Sequence, residues 1–119
     1  MTWNLFIDDE RNPEDVTWAP WNVMAMYLTE QWVICRNRSD VILTVMGRGM
    51  PSYISFDHDL GQDEPTGHAI AQLIVDWDMN DKHYPLPADF AFFVHSQNPI
   101  GKANIEGLLN NYLEFKKND

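Results

Sequence analysis

The sequence predicts a single small α/β domain whose parallel sheet has about four strands with flanking helices. Short apolar segments alternate with longer segments of helical periodicity, and the stretches between successive strands are too long for hairpins. Several apolar segments stop abruptly at acidic or histidine side chains, the pattern of buried strands that end at a functional edge. A chain of 119 residues supports one hydrophobic core, so we expect one domain over residues 1–119.

The first β–α step pairs a clear strand with an irregular crossover. The apolar run Trp3–Ile7 predicts a strand, and it ends at three acidic residues. A helix could begin near Glu14, but Pro20 interrupts that region, so a helix over Trp21–Glu30 is the better prediction. Trp32–Cys35 then predicts the second strand.

Capping residues mark the two middle helices. Ser39 and Asp40 are predicted to cap a helix over Val41–Met46, which the following glycines end. Tyr53–Phe56 predicts the third strand, and like the first it stops at an acidic segment. Thr66 is the predicted N-cap of a helix that carries apolar residues at helical spacing and ends near residue 80.

The last strand and helix complete the predicted sheet. Phe90–Val94 is the most hydrophobic strand candidate, and the final helix is predicted over Ile100–Phe115. We expect helices on both faces and the strand order 2-1-3-4, so that the sheet is doubly wound. Ligands of such sheets bind beyond the carboxyl ends of the strands, here between the first and third. The fourth strand is then an edge, and a homodimer that covers it is a further expectation.

The composition excludes several classes of function. Eighteen acidic and eight basic residues give a net charge of −10, which repels a phosphate backbone, so duplex DNA is not an expected partner. A small phosphorylated ligand is compatible with this charge, because a metal ion or a helix N-terminus reverses the potential locally. Cys35 is the one cysteine, which excludes an internal disulfide and suits a reducing compartment. No apolar run approaches the roughly 18 residues of a membrane span, so we expect a cytoplasmic protein that does not contact membranes.

Two of the strand ends are similar to a known signalling domain. Asp8 and Asp9 after the first strand, and residues 51–57 (PSYISFD) around the third, resemble the receiver domain of response regulators. In this resemblance Asp57 stands at the phospho-acceptor position and Ser96 at a conserved hydroxyl position of that family. It implies a receiver-like or flavodoxin-like fold over most of the chain.

A closer resemblance is to the receiver-like family described as cyclic-phosphate processing. Three segments carry it together: Leu5–Pro13 (LFIDDERNP), Phe56–Gly61 (FDHDLG) and Val94–Asn104 (VHSQNPIGKAN). The resemblance implies a role in handling cyclic phosphate ends of RNA or of nucleotides.

Three carboxylates follow the first and third predicted strands. Asp8 and Asp9 come directly after the first strand, and Asp57 comes after the third. Because these strands are expected neighbours, the three carboxylates can supply hard oxygen ligands to Mg²⁺ or Mn²⁺. The alternative is that Asp8 or Asp9 caps a turn or pairs with Arg11. The sequence leaves both roles open.

Two histidines are expected on adjacent strand ends. Imidazoles exchange protons near neutral pH, so His58 and His95 could open a cyclic phosphodiester, one activating water and the other protonating the leaving oxygen. Asp57 is a catalytic candidate beside them, Asp59 could orient an imidazole, and Ser96 could donate a hydrogen bond to a phosphate oxygen. The alternative is that each histidine is a satisfied structural group.

The segment before the last helix supplies candidate phosphate ligands. Asn98, Gly101 and Lys102 place backbone N–H groups and one cation where an anion could dock at a helix start. The alternative is an ordinary N-cap followed by proline. Arg11 is another candidate phosphate ligand, and a salt bridge to an adjacent acid is its alternative role.

These residues lead to one preferred function and two alternatives. The preferred hypothesis is a hydrolase, a phosphodiesterase or phosphatase assisted by Mg²⁺ or Mn²⁺ that acts on a cyclic phosphate at the carboxyl ends of the strands. One alternative is a binding module that captures a cyclic nucleotide without cleaving it. The other is a degenerate receiver used in protein–protein regulation.

Overall fold

Strands and helices alternate along the chain, as the sequence predicts. The computed structural model describes residues 2–118, with strands β1 (Asn4–Ile7), β2 (Val33–Cys35), β3 (Tyr53–Phe56) and β4 (Ala91–Val94), and helices α1 (Trp21–Thr29), α2 (Arg38–Arg48), α3 (Gly67–Asn80) and α4 (Pro99–Lys117). A 3-10 turn at Pro13–Asp15 precedes α1. Across residues 2–118, no helix has the length and apolar character that a membrane crossing needs.

The four strands form one parallel sheet in the order β2-β1-β3-β4. Leu5 of β1 is in register with Val33 on one side and with Ile54 on the other, and Ile54 is in register with Phe92 of β4. The predicted strand order and the doubly wound α/β class are confirmed. In this sheet β2 and β4 are the edges, and the homodimer across β4 stays a prediction.

Alternation along the strands divides the interior into two cores. Leu5 and Ile7 of β1 face a larger core beneath α2, α3 and α4, whereas Phe6 faces a smaller core beneath α1. All three side chains are fully buried, so both faces of the sheet are covered. The helices contribute Val41, Val45, Ile70, Ala71, Ile74, Ile105 and Leu109 to the larger core.

The smaller core is built around aromatic rings. Phe6 meets Tyr27 of α1 and Trp32 edge-on, at ring-centroid distances of 5.7 Å and 6.2 Å. The imidazole of His95 stacks on Phe6 at 4.6 Å with the two planes 6° apart. Such arrangements stabilise aromatic pairs beyond the area that they bury. A histidine from the carboxyl end of β4 therefore belongs to the core beneath α1.

The helix starts agree with the predicted caps in one case and differ in another. Thr66 caps α3 as predicted, because its hydroxyl accepts a hydrogen bond from a backbone N–H of the first turn. For α2 the predicted cap is wrong, since the side chain of Asn37 accepts from the N–H of Asp40 at 2.9 Å and the helix begins at residue 38. Ser39 lies inside that helix. Asp40 is three residues beyond the true cap, and its carboxylate reaches back to the N–H of Arg36 at 3.0 Å.

The close approach of α3 to the end of β3 requires Gly67. The N–H of Gly67 donates to the carbonyl of His58 at 2.7 Å. A Cβ at this position would overlap the carbonyl oxygen of Asp57, which is backbone and cannot move aside. The first residue of α3 therefore sets the path of the chain just after β3.

We expect Gly67→Ala to lower the free energy of unfolding by at least about 2 kcal/mol, because overpacking against backbone forces the helix away from the sheet. The matched control is Gly107→Ala within α4, where an added Cβ meets no atom within 4 Å. That variant should gain a few tenths of a kcal/mol, up to about 1, from helix propensity. Urea unfolding of both variants measures the difference, and equal stabilities would contradict the packing argument.

Candidate functional site

The ends of three neighbouring strands lie side by side. Ile7, Phe56 and Val94 are register partners across β1, β3 and β4. The residue that follows each of them is Asp8, Asp57 or His95. The register of the sheet therefore brings two carboxylates and one imidazole to one edge.

Asp8 is a fully buried carboxylate that also closes the turn after β1. Its Oδ1 accepts hydrogen bonds from the N–H groups of Glu10 and Arg11 at 2.9 Å and 2.8 Å, and its Oδ2 accepts from Nε2 of His95 at 3.0 Å. Burial alone would raise the pKa of Asp8, but the bonds from His95, Arg11 and Glu10 outweigh it and hold the pKa at about 2. Asp8 is therefore ionised at neutral pH.

Asp57 is the second buried carboxylate, and its electrostatics are the opposite. Within residues 2–118, its one hydrogen bond is accepted by Oδ1 from the N–H of the next residue, His58, at 2.8 Å. Burial raises the pKa of Asp57, and the negative charge of Asp8 raises it further. The two neighbouring carboxylates thus have pKa values that are shifted in opposite directions.

The cluster has the spacing of a metal site. Asp8, Asp57 and His95 each offer one ligand atom, and these atoms lie within 4.8 Å of one another. A divalent cation would neutralise the repulsion that raises the pKa of Asp57, and carboxylate oxygens are the donors that Mg²⁺ and Mn²⁺ prefer. The residues present therefore fit such an ion. Asp9, predicted as a third carboxylate ligand, is half-buried and lies in the wall of the adjoining pocket, outside this cluster.

His95 is hydrogen-bonded to the site through Asp8. Its side chain is fully buried, Nε2 bonds to Asp8 and Nδ1 bonds to the hydroxyl of Ser55 at 2.8 Å. Both ring nitrogens are thus occupied within the protein. No hydrogen bond joins His95 to His58 in the part of the chain that the structure describes, so the two predicted catalytic imidazoles do not form a pair.

His58 packs against the start of α4, outside the lining of the pocket beside Asp57, and is oriented by Asp59. Its Nδ1 donates to Oδ1 of Asp59 at 3.1 Å, while the other carboxylate oxygen of Asp59 accepts from the side-chain amide of Asn98 at 3.1 Å. The hydrogen bonds from Asn98 and His58 lower the pKa of Asp59. The ring packs so closely on the first turn of α4 that a Cβ at Gly101 would overlap it. Gly101, predicted as a phosphate ligand, makes room for His58.

Two further predicted phosphate ligands are engaged within the protein. The carbonyl oxygen of the Asn98 side chain caps α4 by accepting from the N–H groups of Ile100 and Gly101, at 3.1 Å and 3.0 Å. The ammonium group of Lys102 donates to the carbonyl of Val94 at 3.0 Å, and neither residue is part of the pocket lining beside Asp57. The N-cap alternative is therefore what the structure shows for Asn98.

An open pocket of about 400 Å³ lies beside Asp57, whereas Asp8 is not part of its lining. Its lining is Asp9, Glu10, Arg11, Asp57, Asp59, Ser96, Gln97 and Asn98. Arg11 is the cation of this lining, and its guanidinium contacts Oδ2 of Asp8 at 3.4 Å, bonds to Gln97 at 3.2 Å and lies 5.1 Å from the ring centroid of Trp18. Both alternatives for Arg11 are thus compatible with the geometry, since it pairs with an acid and also faces the pocket.

Several residues that shape the site escaped the sequence analysis. Arg36, directly after β2, donates to the carbonyl oxygens of Asp8 and Arg11 at 3.1 Å and 2.6 Å, and so holds the turn after β1. The indole of Trp18 donates to the carbonyl of His95 at 2.8 Å. Ser55 is a polar residue in a buried strand. Arg36 directly follows a strand, so the reasoning that placed Asp8 and Asp57 at strand ends also applies to it. A serine within a buried strand indicates a hydrogen bond in the interior, and Ser55 is such a residue.

A family model matches most of the chain. The model of the cyclic-phosphate processing receiver domain matches residues 3–111. The chain belongs to this family. The match covers all four strands and every predicted site residue, and the family's description indicates a role in cyclic phosphate processing. No curated protein and no solved structure matched the chain.

The two buried carboxylates should respond oppositely to neutralisation in the metal-free protein. The pKa of Asp8 is lowered from 3.8 to about 2, so its stabilising contribution is complete above 3.8 and is lost as the pH falls toward 2. Asp8→Asn should therefore destabilise the protein at pH 7, by about 2 kcal/mol for charged hydrogen bonds lost in the interior.

The pKa of Asp57 is raised, so its ionised form opposes folding above that pKa. Asp57→Asn should stabilise the metal-free protein at pH 7, by about 1 kcal/mol on the usual scale of single substitutions. This gain should disappear as the pH falls through the raised pKa. Denaturant unfolding in EDTA between pH 4 and about 8 measures both variants, and a loss of stability in Asp57→Asn at pH 7 would contradict the repulsion between the two acids.

Proposed function

We propose that this domain hydrolyses a cyclic phosphate of a nucleotide or of an RNA end in the pocket beside Asp8 and Asp57. The observation that carries the proposal is the buried carboxylate pair of Asp8 and Asp57, of which Asp57 lines an open pocket with an arginine on its wall. In a chain of net charge −10, an anion needs such a local source of positive potential. Family membership supports the same class of ligand.

Positive potential at the pocket comes from two sources in this proposal. Asp8 and Asp57 would hold Mg²⁺ or Mn²⁺, which would polarise a phosphoryl oxygen and offset its negative charge. The guanidinium of Arg11 on the same wall supplies fork-shaped donors for phosphate oxygens. The hydroxyl of Ser96, which also lines the pocket and accepts from the N–H of Asn98, can donate its own hydrogen to a phosphate oxygen.

Proton transfer is assigned to His58. Asp59 occupies Nδ1, which leaves Nε2 without a hydrogen bond to any residue in the described range 2–118. Asp59 is in turn held by Asn98, and both of these residues line the pocket, so the imidazole has a fixed orientation next to the lining. Ring opening breaks one P–O ester bond, adds the oxygen of water to phosphorus and leaves a proton on the departing hydroxyl. His58 takes a proton from the attacking water and delivers a proton to the departing oxygen. His95 acts on the site through Asp8.

The test is turnover of 2′,3′-cyclic nucleotides and of an RNA ending in a 2′,3′-cyclic phosphate, in Mg²⁺, Mn²⁺ or EDTA. Mass spectrometry should detect a product heavier by one water that forms with metal and not in EDTA. Asp57→Asn and His58→Gln should each reduce the rate by about 10²-fold or more, the usual scale for an acid–base group.

The matched control for His58→Gln is His83→Gln. His83 also bonds its Nδ1 to an aspartate, Asp81, at 3.0 Å, but His83 is exposed and neither residue lines the pocket. Its loss should leave turnover unchanged. Binding of a cyclic nucleotide without any change in its mass would replace the hydrolase with a capture module, and equal losses in both histidine variants would remove His58 from the mechanism.

A further inference from the structure

A line of buried hydrogen bonds leads from Asp8 into the core beneath α1. Nε2 of His95 lies 3.0 Å from Oδ2 of Asp8, its Nδ1 lies 2.8 Å from Oγ of Ser55, and that oxygen lies 2.6 Å from the hydroxyl of Tyr27. All four residues are at most 5% exposed. The line joins helix α1, strand β3, the end of β4 and the end of β1, and Tyr27 and Ser55 have no part in the proposed chemistry.

The chemistry of the two ends sets the direction of these bonds. Oδ1 of Asp8 accepts two backbone N–H groups and Oδ2 faces Nε2 of His95, so in a neutral imidazole Nε2 carries the hydrogen of this contact. Nδ1 is then a lone pair that accepts from Ser55, and the oxygen of Ser55 accepts from Tyr27. Burial raises the pKa of Tyr27, so the phenol retains its hydrogen. In this direction every hydrogen of the line has an acceptor.

The opposite direction leaves groups unpaired. With the hydrogen on Nδ1, His95 would donate to Ser55. The hydroxyls of Ser55 and Tyr27 would then bring two hydrogens to one contact, so one of these hydrogens would have no acceptor in the described part of the chain. The lone pair of Nε2 would also face the carboxylate of Asp8. Buried polar groups left without partners are strongly unfavourable, so the line favours one tautomer of His95.

The position of the hydrogen on His95 determines whether its imidazole can coordinate a cation. By distance alone, Asp8, Asp57 and His95 could form a mixed nitrogen and oxygen site, which Zn²⁺ and similar metals favour. A nitrogen that carries a hydrogen cannot coordinate a metal, and in His95 the nitrogen next to the carboxylates is Nε2.

We propose that Tyr27 and Ser55 are positioning residues that hold His95 in its Nε2–H tautomer, so that His95 orients Asp8 and stays outside the coordination sphere. The cation site is then made of carboxylate oxygens, which selects Mg²⁺ or Mn²⁺. Stacking of the imidazole on Phe6 and the edge-on contact of Phe6 with Tyr27 keep the line dry and the ring in place. The inference deepens the proposed function, since it rests on a cation bound at Asp8 and Asp57.

The first test observes the tautomer directly. Long-range ¹H–¹⁵N correlation spectra of the imidazoles in the ¹⁵N-labelled full chain distinguish a protonated ring nitrogen from a lone pair, and His95→Gln assigns the signals. We expect His95 to carry its hydrogen on Nε2 in the metal-free protein and to keep it at saturating Mg²⁺. A hydrogen on Nδ1, or loss of the Nε2 hydrogen when Mg²⁺ is added, overturns the proposal.

The second test separates positioning from structural support. Tyr27→Phe removes the end of the line, and we expect Mn²⁺ binding to weaken about tenfold, as for other groups that orient a metal ligand. The matched control is Tyr112→Phe, which removes a hydroxyl that donates to Asp78 between α3 and α4. Tyr112→Phe should change Mn²⁺ affinity by less than about twofold, which is within the error of a binding measurement. Equal effects of the two variants overturn the proposal.

A double variant tests the route of the effect. If Tyr27 acts through His95, Tyr27→Phe should not weaken Mn²⁺ binding further in a His95→Gln background, because the line is already cut. If the losses of Mn²⁺ affinity in the two single variants add in the double variant, Tyr27 does not act through His95. Wild-type protein that binds no Mn²⁺ overturns the positioning role as well. Mn²⁺ binding with the expected tautomer but without turnover of any cyclic phosphate leaves the positioning role intact and removes the hydrolase.

Discussion

The register of the parallel sheet places two carboxylates next to each other in the protein interior. Asp8 and Asp57 follow paired residues of β1 and β3, so their proximity is a property of the backbone and not of flexible side chains. Two buried negative charges this close repel each other strongly. The surrounding residues stabilise the charge of Asp8 with hydrogen bonds, whereas Asp57 lies beside an open pocket in which a cation could bind.

The stabilisation is concentrated on Asp8. The turn after β1 directs two backbone N–H groups at its Oδ1, and Arg36 fixes that turn from the end of β2 by binding two of its carbonyls. His95 adds a donor from the opposite side. Asp57 receives one backbone N–H and faces the pocket. Because the hydrogen-bond donors are concentrated on Asp8, its carboxylate is ionised at neutral pH. Asp57 has the raised pKa, so a bound cation would stabilise the charge of Asp57 more than that of Asp8.

The two histidines of the site have different environments and therefore different roles. His95 is stacked on Phe6 and bonded at both nitrogens, which makes it part of the core beneath α1. His58 lies against the start of α4, with one nitrogen held by Asp59 and the other without a hydrogen bond to any residue of the described range. The two histidines share one edge of the sheet because β3 and β4 are neighbours.

The sequence by itself determined the class of the fold, the strand order and the edge at which the site lies. Apolar runs that stop at charged residues are local signals, and the rules of parallel sheets convert them into neighbouring strand ends. Boundaries were predicted to within one residue for the strands because the polarity changes sharply there. The pairing of Asp8 with Asp57 followed from the same rules.

Only the tertiary structure decided which partner each polar side chain takes. Asn98 and Lys102 could each have faced a ligand, but one caps α4 and the other binds a strand carbonyl. His95 joins Ser55 and Tyr27, residues 40 and 68 positions away along the chain, through bonds that no local pattern records. Hydrogen bonds depend on distance and angle to within fractions of an ångström, whereas the residue pattern specifies only which side of an element faces inward.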